Sequence, residues 1–197
     1  PNSCILHGKL DLPDNVFAFD FNLACSGYIY GLALAQGLLD SGLASNILLV
    51  TADTYSKYIN KNDRATRILF GDAAAVTWIA NSNSSNGIID IQCSTSGKGH
   101  DKFIIPAGGC RLPISEQTRV SEMDSSGNHR SPENIRMDGM GILSFVNTKV
   151  PLQIHGILDR NEMTIKDIDL FLFHQASKLA LDSLTRLLKI DPDLVFR

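Results

Sequence analysis

The stretch that decides the fold is "FNLACSGYIYGLALAQGLLD", residues 21–40. The preceding "VFAFDFN", residues 16–22, alternates and is rich in Phe and Val, which predicts a strand. Residues 26–40 are apolar almost all round, which predicts a buried helix. Cys25 stands between them, where the positive end of a helix dipole would stabilise a thiolate. The spacing alone leaves two interpretations of Cys25 equally open: a nucleophile, or a small residue packed between strand and helix.

A second segment repeats this order near the C-terminus. Residues 168–173 predict a strand and 176–189 predict a helix, and His174 lies between them. The predicted apolar stripe of this helix comprises Ala180, Leu184, Leu187 and Leu188. We expect the His174 ring to be partly buried, and a lone histidine in such a place is more often a core residue than a catalyst.

Cys25 and His174 become more informative as a pair. Ligands of α/β proteins usually bind at the carboxyl ends of parallel strands, where both residues are predicted to stand. Together they indicate nucleophilic acyl transfer, in which Cys25 carries the acyl group and the Nε2 of His174 donates a hydrogen bond or accepts a proton.

The remaining pattern alternates strands with helices, which is typical of an α/β fold. The other predicted elements are strands at 47–51, 73–79 and 87–93, loops with short strands at 94–132, a helical region at 139–161 interrupted at Pro151, and a capped turn at 164–167. In the charged loop before 73–79, Arg64 could bind a phosphate or stack on a base, or it could simply be a solvated charge.

Composition excludes several classes of function. The formal net charge of −3 gives no general basic field, so we expect no nucleic-acid partner. No apolar run approaches the roughly 18 residues of a membrane span, so we expect a cytoplasmic protein without membrane contact. The four cysteines form no C-x-x-C pair, and the histidines lack metal-ligand spacing, so neither a disulfide scaffold nor a metal site is expected.

Four short motifs together resemble one family. They are "ACSG" at 24–27, "DRAT" at 63–66, "FGD" at 70–72 and "HQA" at 174–176. In this order and spacing they resemble the beta-ketoacyl-acyl-carrier-protein synthase III family of the thiolase superfamily, from about Val16 to the C-terminus. The set is specific, although "ACSG" alone is a weak signal.

The resemblance implies a thiolase-like α/β fold of two related halves, with mixed sheets and buried helices, each half incomplete in this chain. Residues 1–95 would be the C-terminal portion of the first half and carry Cys25. Residues 96–132 would be connecting loops and short strands. Residues 133–197 would be the N-terminal portion of the second half and carry His174.

The resemblance also implies a reaction and its residues. Cys25 would accept an acyl group from acyl-coenzyme A, which is a substrate and not a permanently bound cofactor. His174 would stabilise the enolate formed as malonyl-acyl-carrier protein decarboxylates, and condensation would give a 3-oxoacyl-acyl-carrier protein. Arg64 would lie near the nucleotide part of coenzyme A, Phe70 beside the acyl pocket, and Gly139 at the start of the helix lining the pantetheine tunnel. Family members form homodimers through the segment matching residues 16–22.

Some family features differ or lie outside these residues. Ser177 replaces the asparagine of the family's "HQAN", and alanines at 73–75 stand where glycines are common. The third catalytic residue, an asparagine, would lie beyond Arg197, so we expect residues 1–197 alone to be inactive. Two alternatives remain open: an acyltransferase of the same fold that uses a non-malonyl acceptor, in secondary-metabolite or polysaccharide synthesis, and a non-catalytic partner subunit.

Overall fold

The chain forms two compact units in the computed structural model, which describes residues 1–84 and 86–197. Unit 1 comprises residues 1–51 and 74–93, and unit 2 comprises residues 52–73 and 94–197. Within the described part of the chain, no helix is both long enough and apolar enough to cross a bilayer. The predicted division of the chain at residues 95 and 132 stays a prediction.

Unit 1 contains two helices and a two-stranded sheet. Its helices are α1 (Asn2–Lys9) and α2 (Gly27–Asp40). The strands β1 (Asn46–Thr54) and β2 (Asp72–Ala80) pair in a two-stranded sheet, and most of their residues belong to this unit. These elements confirm the helix predicted at 26–40 and the strands predicted at 47–51 and 73–79.

The helix α2 is buried along one side rather than all round. Its buried residues are Gly31, Ala35 and Leu39, and Leu49 of β1 is buried as well. A Cβ atom on Gly31 would lie 2.7 Å from Cδ1 of Leu49 and 3.1 Å from Cζ of Phe21. Glycine at this position therefore allows the helix to approach β1 closely.

The strand predicted at residues 16–22 is wrong, because this extended segment pairs with no other strand among the described residues. Its Phe17, Phe19 and Phe21 rings contact one another in series, with centroid separations of 5.4 and 6.4 Å. The carboxylate of Asp20 accepts hydrogen bonds from the first N–H groups of α1. The strand predicted at 87–93 is also wrong, since no strand forms there. An alternating pattern makes a strand only where a partner completes its hydrogen bonds.

Unit 2 contains short strands and several helices. In chain order its further elements are α3 (Arg64–Arg67), β3 (Phe103–Ile104), α4 (Glu116–Arg119), β4 (Glu122–Met123), β5 (His129–Arg130), β6 (Arg136–Met137), α5 (Gly139–Thr148), α6 (Val150–Arg160) and α7 (Lys178–Leu187). The pairs β3 with β6 and β4 with β5 are antiparallel. Loops with short strands were expected at 94–132, and the structure confirms them.

The core of unit 2 lies beside α7. Its buried side chains are Phe171, Leu184, Leu188, Ile190 and Val195. Leu187 was predicted on the buried stripe but is 50% exposed, because α7 turns Leu181 and Thr185 inward instead. The strand predicted at 168–173 is wrong: this segment makes a single parallel bridge, from Phe171 to Val195.

Local helix signals were more reliable. Pro151 stands in the first turn of α6, so the interruption predicted at this residue is confirmed as a new helix start. The turn at 164–167 has the predicted cap, in which the Asp167 carboxylate accepts hydrogen bonds from the N–H and hydroxyl of Thr164.

Two glycines of α2 provide a matched test of the close approach to β1. We expect Gly31→Ala to lower the free energy of unfolding by about 1 to 2 kcal/mol, because the added methyl group must displace buried Leu49. Gly37 has open space around its Cβ position. We therefore expect Gly37→Ala to raise stability by about 0.5 to 1 kcal/mol through helix propensity. Urea denaturation of both variants measures the difference, and equal effects would contradict the packing argument.

Candidate functional site

Cys25 lies in a tight 3-10 turn, residues 24–26, directly before α2. The preceding Ala24 has a φ of 46°, in the left-handed region that costs a residue with a Cβ atom about 1 to 2 kcal/mol. The Ser26 hydroxyl donates to the Leu23 carbonyl at 2.9 Å and supports the turn. Cys25 is exposed, so it is not the residue packed between strand and helix that the second interpretation required.

The start of α2 provides a favourable electrostatic setting for a Cys25 thiolate. Ser26 is the N-cap of this 14-residue helix, and among the described residues its side chain makes no capping hydrogen bond. The first turn contains no acidic side chain. The positive end of the helix dipole therefore lies next to Cys25, and such an environment favours the ionised thiol.

His174 lies in unit 2, between the Phe171–Val195 bridge and α7. The neighbouring Gln175 holds the backbone in this segment, because its side-chain Nε2 donates to the carbonyls of Phe173 and Phe196, both at 3.2 Å. His174 itself is exposed, so the prediction of a partly buried ring is wrong. The two phenylalanines before it provide the burial in this segment, since Phe171 belongs to the core and Phe173 packs against it.

Ser177 explains one departure from the family pattern. It is the N-cap of α7, and its hydroxyl accepts a hydrogen bond from the Ala180 N–H at 3.2 Å. Serine and asparagine are both preferred at this helix position. The replacement therefore preserves the start of the helix that follows His174.

Arg64 is the first residue of α3, and its side chain is exposed. The preceding Asp63 is fully buried and caps α3 by accepting from the Ala65 N–H at 3.0 Å. The guanidinium of Arg130 donates two hydrogen bonds to Asp63, from Nε at 2.6 Å and from Nη2 at 3.2 Å. The Thr66 hydroxyl donates to the same carboxylate at 2.8 Å. The backbone that carries Arg64 is thus anchored by a buried ion pair.

Opposing effects set the pKa of the Asp63 carboxyl. Burial acts to raise this pKa, but the hydrogen bonds from Arg130 and Thr66 and the positive charge of Arg130 outweigh it. The pKa of Asp63 therefore lies below its ordinary value, and the carboxylate stays ionised at neutral pH.

Phe70 belongs to an aromatic cluster with Tyr55 and Phe103. The Phe70 ring stacks on Phe103 with a centroid separation of 5.4 Å, and Tyr55 meets Phe70 edge-on at 5.2 Å. All three rings are half-buried. Phe103 pairs with Met137 in the β3–β6 ladder, and Met137 lies two residues before Gly139. Unit 2 therefore brings Phe70 close to the start of α5.

Gly139 is the first residue of α5, and its Cβ position meets open space. The Asp138 carboxylate caps this helix through the Gly141 N–H at 2.9 Å and lies 3.2 Å from Lys102 Nζ. These contacts hold the pKa of Asp138 below its ordinary value, first through the Gly141 N–H and then through Lys102. The lack of space requires glycine at position 141 and not at position 139, since a Cβ atom on Gly141 would lie 2.7 Å from the Asp138 carboxylate.

The sequence missed several neighbours of the predicted site residues. Tyr55 and Phe103 extend the aromatic surface of Phe70, Arg130 pairs with Asp63, and Asn128 accepts a hydrogen bond from the Arg64 N–H at 3.1 Å. These partners lie far from one another in sequence, and no short motif links them. In the described part of the chain, no three His, Cys, Asp or Glu side chains come together to hold a metal ion.

Comparisons with known proteins identify a consistent set of relatives. The family model for 3-oxoacyl-[acyl-carrier-protein (ACP)] synthase III matches residues 19–97. The chain is 33% identical over 194 residues to the beta-ketoacyl-[acyl-carrier-protein] synthase III of Caldanaerobacter subterraneus subsp. tengcongensis, covering 98% of this chain and 56% of that protein.

Solved structures show the same similarity. A crystal structure of a 3-oxoacyl-(acyl-carrier-protein) synthase III matches with a TM-score of 0.92 and 36% identity, over 98% of this chain and 58% of that one. The synthase from Burkholderia xenovorans LB400 matches with a TM-score of 0.82 and 34% identity, over 98% and 53%. These matches confirm the predicted thiolase-like α/β fold. The chain spans about half the length of the relatives it matches.

The buried Asp63–Arg130 pair predicts a pH dependence of stability. The folded-state pKa of Asp63 is lowered, so the ionised carboxylate stabilises the folded state at pH values above the ordinary pKa of 3.8. This stabilisation is lost as the pH falls through the lower pKa of the folded state. We expect Asp63→Asn to lower the free energy of unfolding at pH 7 by about 3 kcal/mol, because Arg130 loses its fully buried ionic partner and keeps only the more exposed Asp124. We also expect the variant to lose less stability than the wild type below pH 4.

Urea denaturation between pH 3 and pH 7 measures both effects. Asp14→Asn serves as the control, since Asp14 is an exposed turn residue of unit 1 and its substitution should change stability by no more than about 0.5 kcal/mol. Identical stability and pH profiles for wild type and Asp63→Asn would show that the ion pair contributes nothing.

Proposed function

The chain belongs to the 3-oxoacyl-[acyl-carrier-protein] synthase III family, and on this basis we propose that it provides the nucleophile and part of the coenzyme A site of a condensing acyltransferase. The observation that carries the proposal is the placement of Cys25. It is exposed, it follows a residue in the left-handed region, and it lies directly before the N-terminus of α2. It also falls within the residues matched by the family model.

In the first step, the Cys25 thiolate attacks the thioester carbonyl of acyl-coenzyme A. A tetrahedral intermediate forms and collapses, so that the acyl group remains on Cys25 and coenzyme A leaves as its thiolate. The backbone N–H of Cys25 provides one donor to the oxyanion of this intermediate. A single donor of this kind commonly contributes about 3 kcal/mol to transition-state stabilisation.

In the second step, malonyl-acyl-carrier protein loses carbon dioxide and becomes an enolate. His174 donates a hydrogen bond from Nε2 to the enolate oxygen, which stabilises the developing negative charge. The enolate carbon then attacks the acyl group on Cys25, the thiolate leaves, and a 3-oxoacyl-acyl-carrier protein is released. The firmly held backbone around His174, with an exposed ring, is consistent with this role.

Three residues of unit 2 contact the coenzyme A in this proposal. The Arg64 guanidinium is exposed and carries the charge and planar surface that suit a phosphorylated nucleotide. Phe70 and its aromatic neighbours offer an apolar surface beside the acyl group. Gly139 leaves open space at the start of α5, where the narrow pantetheine arm passes.

We also propose that the protein acts in the cytoplasm as a homodimer. Residues 16–22 support the dimer, because Phe17, Phe19 and Phe21 are 66%, 43% and 37% exposed. An exposed aromatic row of this kind is typical of a surface that another chain covers.

Acylation of Cys25 tests the first step. We expect the full-length protein, incubated with acetyl-, octanoyl- or longer acyl-coenzyme A, to gain the mass of one acyl group on the Cys25 peptide. The Cys25→Ser variant should lose the thioester adduct, whereas Cys93→Ser, which also removes an exposed cysteine, should keep it. No adduct with any donor would refute an enzymatic role, and an adduct without malonyl decarboxylation would favour the alternative acceptor.

Substitution of His174 separates the two steps. We expect His174→Ala to retain Cys25 acylation but to lower decarboxylative condensation by about 10²- to 10⁴-fold, because the enolate loses its hydrogen-bond donor. His155→Ala, at an exposed position in α6, is the control and should condense at the wild-type rate. Release of carbon dioxide from labelled malonyl-acyl-carrier protein measures the effect. Equal rates in the two variants would remove His174 from the mechanism.

A further inference from the structure

Arg64 is held through its backbone and not through its side chain. Its N–H donates to Oδ1 of Asn128 at 3.1 Å. Among residues 1–84 and 86–197, no hydrogen bond or ion pair engages its guanidinium. Nothing in that part of the chain therefore competes with a ligand for the charge, and the backbone of Arg64 determines the region that its side chain can reach.

Asn128 is itself fixed by a charged partner. It is buried, and both its N–H and its Nδ2 amide donate to the Asp124 carboxylate, at 2.9 and 3.4 Å for Oδ1. With its amide nitrogen bonded to Asp124, the side chain presents its oxygen, Oδ1, to Arg64. The orientation of Asn128 is thus set by a contact independent of Arg64.

Charged hydrogen bonds connect this contact to the buried ion pair. Asp124 lies 3.3 Å from Nη2 of Arg130, whose Nε and Nη2 bind Asp63. Asp63 in turn caps α3, which begins at Arg64. The backbone of Arg64 is therefore held from two sides, by Asp63 from its own loop and by Asn128 from a segment 64 residues away.

We propose that Asn128 is a positioning residue for acyl-coenzyme A, which orients Arg64 toward the phosphorylated nucleotide through the Arg64 N–H. This inference rests on the proposed function, because it takes Arg64 as a coenzyme A contact. It makes Asn128 important for the nucleotide end of the substrate and irrelevant to the acyl end. Without the Asn128 oxygen, the first turn of α3 loses one of its anchors, and Arg64 samples orientations that miss the nucleotide.

Binding of acetyl-coenzyme A to the full-length protein tests the proposal, with Cys25→Ala in every variant to prevent acyl transfer. We expect Asn128→Ala to raise Kd about three- to ten-fold, as for the loss of one hydrogen bond. We expect Arg64→Ala to raise Kd about ten- to a hundred-fold, as for the loss of a charged contact. When Arg64 is already alanine, Asn128→Ala should change Kd less than twofold, because its effect passes through Arg64.

A truncated substrate gives a second readout. With Cys25 intact, Asn128→Ala should raise the KM for acetyl-coenzyme A three- to ten-fold, with kcat unchanged within twofold. The KM for acetyl-pantetheine, which lacks the nucleotide, should stay the same. A general loss of structure would affect both substrates.

Asn147→Ala is the matched control. Asn147 also makes a side-chain hydrogen bond within unit 2, accepting from the Ser183 hydroxyl at 2.8 Å, and it does not contact Arg64. Its substitution should leave Kd for acetyl-coenzyme A unchanged. If Asn128→Ala fails to fold, Asp124→Ala replaces it, since it removes the carboxylate that orients Asn128 and should raise Kd in the same Arg64-dependent way.

The outcomes distinguish the role of Asn128 from the proposed function. Suppose that Arg64→Ala binds acetyl-coenzyme A more weakly than the wild type, while Asn128→Ala and Asp124→Ala both bind it with wild-type affinity. This result would overturn the role of Asn128 and leave the proposed function standing. An equal effect of Asn128→Ala with and without Arg64 would also overturn it, because the effect would not pass through that residue. No binding of acetyl-coenzyme A by any form would overturn the proposed function together with this inference.

Discussion

The hydrogen-bonded ion pair between Asp63 and Arg130 is the constraint on which the ordered loops of unit 2 depend. A carboxylate that is fully buried must be paired, because an isolated buried charge costs several kcal/mol. Arg130 satisfies Asp63 with two N–H groups across 67 residues of sequence. The pair therefore fixes the start of α3 relative to the hairpin of β4 and β5, and the exposed Arg64 is oriented by groups that are themselves satisfied.

The elements that the sequence predicted well are those determined by neighbouring residues. A proline in the first turn of α6, a capping box at 164–167 and an apolar helix after Cys25 each follow from contacts within a few residues. The strands predicted at 16–22 and 168–173 failed for the opposite reason. Their alternating or apolar pattern is present, but a strand exists only where a second segment completes the ladder, and local pattern carries no information about that segment.

The candidate site divides in the same way. Cys25 and His174 could be singled out because each is a reactive side chain between two recognisable patterns, and the family motifs added Arg64, Phe70 and Gly139. Their supporting residues could not be predicted. Asn128 reaches Arg64 across 64 residues, and Phe103 reaches Phe70 from a two-residue strand within a segment without periodicity. Such partners are defined by the folded backbone and leave no short signature in the sequence.

Within each unit, neighbouring groups fix the backbone at several candidate positions, and the side chains of Cys25 and Arg64 are left exposed. The Ala24 turn and the N-terminus of α2 present Cys25, Asp63 and Asn128 fix Arg64, and the Asp138 cap fixes the start of α5. Fixing the backbone in advance removes part of the entropy cost of binding a long, flexible ligand such as the acyl-coenzyme A proposed above. In the proposed role of Asn128, a supporting residue affects affinity through the orientation of a side chain that it does not contact, so its loss would weaken binding without unfolding the chain.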